Sequence, residues 1–156
     1  MNIPTAIKEI LVHNHWDEFN FQMMQDCYKD KLRQSYSKFD YPLNERIISK
    51  IALFYNMKLK LNQSDILYFD FKKIKKYSPE AIQKQALKLK VNKVIYLADI
   101  HPGYLTVWLD EQERVWADYD NLIYYYGGDI FSGIQNIVSG NILETINLHL
   151  TMKDSI

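Results

Sequence analysis

A chain of 156 residues with 47% hydrophobic and 24% charged residues has the composition of a folded domain rather than a disordered segment. Nineteen Lys and Arg balance nineteen Asp and Glu, and a net charge of zero argues against general nucleic-acid binding. Cys27 is the single cysteine, which excludes an intrachain disulfide and a cysteine-rich zinc site, and no run of about 18 apolar residues is present to span a bilayer.

The N-terminal MNIPTAIKEI carries Lys8 and Glu9 among short apolar pieces and lacks the apolar core of a signal peptide, so the expected location is cytoplasmic. Ile3, Ile7, Ile10 and Leu11 form one stripe of a short helix over residues 3–11. After His15-Trp16-Asp17, Phe19 and Phe21 suggest a brief extended piece. Met24, Tyr28, Leu32 and Tyr36 then recur at i+4 and predict a second helix, which ends before Tyr41-Pro42 because proline disfavours helical geometry in the residue ahead of it. Leu43, Ile47, Ile51 and Phe54 give a third. Residues 57–61 and 66–71 read as strands. Ser78-Pro79-Glu80 starts a fourth helix, with serine at the N-cap and proline at N1, running to about Lys90.

From Val94 onward the pattern changes to period 2. Val94 to Leu97 is a strand. Leu105, Val107 and Leu109 alternate with polar or aromatic residues, a polar turn follows over 110–113, and Val115 and Ala117 resume the alternation. Such a turn commonly needs a left-handed residue, expected at Glu113 or failing that Gln112; Glu113→Gly should on this reading stabilise by about 1 kcal/mol. Leu122 to Tyr126 is a further strand, Gly127-Gly128 stops it, and Asp129 caps a last helix through Val138 that brings Ile134 and Ile137 onto the hairpin. The whole reads as one α+β domain over 1–156, with a central, mainly antiparallel sheet of five to six strands flanked by helices.

Catalytic chemistry is poorly represented. His13 and His15 flank Asn14 at a spacing that suits no metal site, Cys27 sits beside Met23 and Met24 as a buried thiol would, and Gly127-Gly128 lacks the partners of a phosphate loop. His101 and His149 read as turn or surface residues. No enzyme, metal or cofactor is expected.

Charge and aromatic content say more. Ten lysines lie between Lys58 and Lys93, whereas Asp99, Asp110, Glu111, Glu113, Asp118, Asp120 and Asp129 follow with only Arg114 among them. Alternation places Tyr104, Thr106 and Trp108 opposite Leu105, Val107 and Leu109, and Trp116 opposite Val115. Aromatic rings beside carboxylates suit protein contacts, so Tyr104, Trp108, Trp116, Asp118 and Asp120 are the expected partner-binding residues. The same face could instead be covered by helices.

The ordered segments HWDEF, YFDF, HPGYLTVWLD, RVW and YYYGGDIFSGIQNIVSG resemble the SUKH superfamily of bacterial immunity proteins, most closely its third group, over roughly residues 5–140. His15, the Tyr55-Asn56 pair and Glu113 stand where such sequences usually have glycine, and the arginine that often follows the tryptophan is missing. The resemblance implies a non-enzymatic inhibitor on a SUKH-like α+β scaffold that neutralises a cognate polymorphic toxin, often a nuclease. It carries no binding residues of its own. The acidic C-terminal half would suit a basic nuclease toxin, with no direct contact to nucleic acid or membrane. An intracellular adaptor or regulatory scaffold of the same fold is the alternative.

Overall fold

Local signals fix most of the helix boundaries. The computed structural model describes residues 1–62, 64–101 and 105–149. Helix α1 spans Thr5–His13 and α2 spans Glu18–Tyr36, where the Asp17 side chain accepts the Asn20 N–H at 2.8 Å. That cap starts a helix through Phe19 and Phe21, so the extended piece expected there does not form. Phe21 turns inward, whereas Phe19 remains exposed. Helix α3 covers Glu45–Ala52 under an Asn44 cap, with Ile47, Ile48 and Ile51 buried. Helix α4 covers Pro79–Leu89; Ser78 accepts the Ala81 N–H, and Lys90 closes the helix in the left-handed region at φ 58°. Helix α5, Ile130–Ser139, begins in a capping box between Asp129 and Ser132 and ends at left-handed Gly140.

The strands are β1 (Lys58–Lys60), β2 (Ile66–Tyr68), β3 (Val94–His101), β4 (Leu105–Asp110), β5 (Val115–Tyr119), β6 (Leu122–Gly127) and β7 (Glu144–Asn147). They form one sheet in sequence order, each paired antiparallel with its neighbour. Among the described residues the α+β architecture therefore has seven strands where five to six were expected. The addition is β7, four residues on the sheet edge, two exposed and two half-buried, with Ile146 the single apolar residue among them.

The strand expected over 66–71 stops at Tyr68, and a 3₁₀ helix, Phe71–Lys76, follows it. Its sequence FKKIKK has an apolar residue at every third position, and three residues per turn put Phe71 and Ile74 on one row, both buried.

The hairpin core forms as the alternation requires. Val107, Leu109 and Val115 are fully buried, joined by Ile134 and Ile137 of α5, while Leu105 is half-buried. Helix α5 approaches β5 closely: a Cβ added to Gly133 would lie 2.4 Å from Val115 Cβ. Glu113 has φ 66°, as expected for the turn.

Candidate functional site

The residues expected to bind a partner do not form one surface. Tyr104 lies outside the described residues. Trp108 and Trp116 are direct cross-strand partners on one sheet face, as period 2 requires, but that face is covered. Trp108 is 4% exposed, with the Tyr77 ring edge-on at 5.4 Å and Tyr96 at 6.2 Å. Its Nε1 donates to Asp118 Oδ1 at 2.7 Å. Trp116 is 9% exposed; its Nε1 donates to Asp110 Oδ2, with Arg114 over its ring and Tyr125 beside it. Asp118 is held by Lys88 of α4, whose Nζ lies 2.6 Å from Oδ2. Asp120 alone, among the described members of the set, has an exposed side chain. Alternation identifies which residues share a face, not whether a second layer packs over it.

The acidic stretch is consumed in the same way. Asp99 takes Lys73 at 2.8 Å on both oxygens, together with the Tyr96 hydroxyl. Buried Asp110 pairs with Arg114 and accepts two turn N–H groups. Glu111 accepts the N–H groups of Asn92 and Lys93. Burial works against its ionised form, yet those backbone bonds hold its carboxyl below the usual value. Glu113 has both Arg46 and Lys50 at 2.8 Å, although Arg46 is not aligned for a hydrogen bond. Asp129 caps α5. Six of the seven acids thus have internal partners, and an acidic docking face is not left over.

The lysine stretch divides differently. Lys73, Lys88 and Lys93 pair with Asp99, Asp118 and Asp40. The 3₁₀ helix sets Lys72 and Lys75 on a second row, and both are exposed. Across from them on α2, Lys31, Gln34 and Ser35 follow i, i+3, i+4 spacing, with Lys38 one further turn on, just past the helix. These rows line a groove of about 460 Å³ with Ser37, Tyr55, Asn56 and Phe71. Among the described residues no carboxylate lines it, and none of its four lysines has an ion-pair partner; Lys38 reaches the Lys75 carbonyl at 3.3 Å and lies over the Phe39 ring.

A second groove, of about 430 Å³, shares Tyr55 and Asn56 with the first and is also lined by His15, Trp16, Asp17 and Lys58. Tyr55 stacks on Tyr28 at 4.4 Å and on Phe71 at 5.6 Å, a run of rings beneath both grooves. His15 and Asn56 have φ of 69° and 56°, so two of the five non-glycine residues in the left-handed region, among those described, line this one concavity. The Trp16 Nε1 is buried without an acceptor among the described residues.

Cys27 is exposed on α2, not buried, because the inward stripe of that helix runs through Phe21, Leu32 and Tyr36. Among the described residues no group of three His, Cys, Asp or Glu is placed to hold a metal ion. No helix among them is long and apolar enough to cross a membrane. No protein-family model, curated protein or solved structure matches the chain significantly.

Proposed function

We propose that this protein is an immunity protein of the SUKH type, which binds and neutralises a cognate bacterial toxin, a nuclease being one such target, in the cytoplasm. The observation that supports this reading is conformational. His15, the Tyr55-Asn56 pair and Glu113 stand where the superfamily usually has glycine, and His15, Asn56 and Glu113 all adopt positive φ. A left-handed backbone costs most non-glycine L-residues roughly 1–2 kcal/mol, and asparagine less. A scaffold that demands it at those points accounts both for glycine in the superfamily and for strain in this chain. An unbroken antiparallel sheet with helices against it is also the architecture this resemblance implies.

The reading makes the protein a binder, not a catalyst, and its work is occlusion of the toxin. The buried tryptophans and paired acids remove the basis for an acidic interface suited to a basic nuclease. The interface belongs to the surfaces that remain unpaired. Co-expression with a toxin encoded beside this gene tests the role: cells should survive, and the two proteins should purify together. Death of the cells with no complex recovered would overturn it.

A further inference from the structure

We infer that the groove between α2 and the 3₁₀ helix is a docking site for an acidic segment of a partner protein. The inference rests on the binding role proposed above and names the chemistry of the partner. Lys31, Lys38, Lys72 and Lys75 surround a concavity in which no carboxylate neutralises them among the described residues. Other lysines of the molecule are paired, as at Lys73–Asp99, Lys88–Asp118 and Lys50–Glu113. The same short helix shows both behaviours: Lys73 turns to Asp99, while Lys72 and Lys75 line the groove. Four unpaired cations in one concavity supply the potential that steers and holds a carboxylate-bearing chain.

Size and shape favour a polypeptide segment. Lys31 on α2 and Lys38 just past its end are seven residues apart in the chain and line the same wall. The groove shares Tyr55 and Asn56 with its neighbour, so those two residues line both concavities. Single-stranded nucleic acid is disfavoured because it needs open ring faces on which bases stack. Tyr55 has Tyr28 and Phe71 stacked on it, and Phe71 is buried. The net charge of zero points the same way.

Fluorescence anisotropy with a labelled peptide of alternating glutamate and tyrosine tests the site on the intact chain. The wild type should bind, with affinity falling as salt rises. Lys72→Glu with Lys75→Glu should weaken binding at least about tenfold, or roughly 1.4 kcal/mol. Lys84→Glu with Lys90→Glu, the same charge change at exposed positions of α4 and its cap, should bind as wild type. Circular dichroism establishes that both variants are folded. Absence of wild-type binding, or equal loss in both variants, overturns the site. Tighter binding of a single-stranded oligonucleotide, lost in the first variant, overturns the polypeptide occupant. In the survival assay, full protection by Lys72→Glu with Lys75→Glu would remove the groove from the toxin interface and leave the immunity role standing. Failure of the wild type to protect would sink that role instead.

Discussion

Lys73 of the lysine-rich stretch and Asp99 of the acidic stretch are bound to each other, with Nζ 2.8 Å from both carboxylate oxygens. Lys88 and Asp118 repeat the relationship at 2.6 Å. Two segments of opposite charge that suggest two opposed surfaces in the sequence are partly one internal seam. What reaches solvent is the remainder left after pairing, and that remainder is basic beside α2.

The seam makes Asp118 structural. Its carboxylate joins Lys88 to the Trp108 indole and is 10% exposed. Asp118→Lys places two ammonium groups together and leaves the indole N–H without its acceptor. Discounting for the partial exposure of Lys88, the expected loss is about 2 kcal/mol. Asp120→Asn, at an exposed left-handed position that asparagine tolerates, should change stability by less than about 0.5 kcal/mol. Urea titration of both variants checks this; equal stability would mean that the seam contributes nothing.

Glu113 reverses an expectation drawn from its backbone alone. Its φ of 66° suggests that glycine would relieve about 1 kcal/mol. Its side chain, however, is 4% exposed beside Lys50, itself 13% exposed, and Oε2 also lies 3.5 Å from the Ile130 N–H at the start of α5. Losing that carboxylate strands a largely buried cation, an effect of about 2–3 kcal/mol, so Glu113→Gly should destabilise on balance. In a Lys50→Met background the penalty should shrink by at least about 1 kcal/mol. An unchanged penalty would place the effect in the loop and not in the ion pair.

The contrast at Glu113 marks how far the chain can be read without its fold. Capping residues such as Ser78 and Asp129, and the alternation through Val107 and Val115, act over a few residues, so their elements form where sequence predicts. The turn φ at Glu113 is local in the same sense. The partners of Asp99, Glu113 and Asp118 are 26, 63 and 30 residues away, and no local pattern announces them. The covering of Trp108 by Tyr77 is equally non-local. The basic groove was half visible: the lysine run was plain, but its other wall comes from Lys31 and Lys38 on α2, outside that run.

Gly133 gives a prediction in which propensity and packing have opposite signs. Alanine in a helix interior is favoured over glycine by about 1 kcal/mol. At Gly133 the added methyl would meet Val115 Cβ and Cγ2 at 2.4 Å, and β5 has no slack because Val115 is fully buried. Gly133→Ala should therefore destabilise by about 2–3 kcal/mol. Val115→Ala should recover part of that loss in the double variant although it is harmful alone. A rise in melting temperature for Gly133→Ala would show that α5 sits farther from the sheet.

Alkaline pH should unfold the protein through its buried tyrosines. Burial, followed by neighbouring carboxylates, raises Tyr41 and Tyr96 well above the ordinary value of 10.0, and burial with Tyr41 nearby raises Tyr36. The folded state thus withholds ionisation that the unfolded chain allows. Stability is intact below the unfolded value of 10.0 and falls above it, by about 1.4 kcal/mol per pH unit for each withheld proton. Lys73 adds to the same limb: burial opposes its charge, but Asp99 outweighs burial and raises it, so its contribution is lost as pH climbs through the folded value. Tyrosinate absorbance should consequently appear in two stages, exposed rings first and the buried ones together with the loss of ellipticity. Tyr96→Phe removes a hydroxyl that donates to Asp99 and should cost about 1 kcal/mol at neutral pH. Because phenylalanine cannot ionise, the stability gap between variant and wild type should narrow above pH 10.0, the ordinary tyrosine value. A gap that stays constant through that range would show that Tyr96 titrates normally and is not the group that limits stability in base.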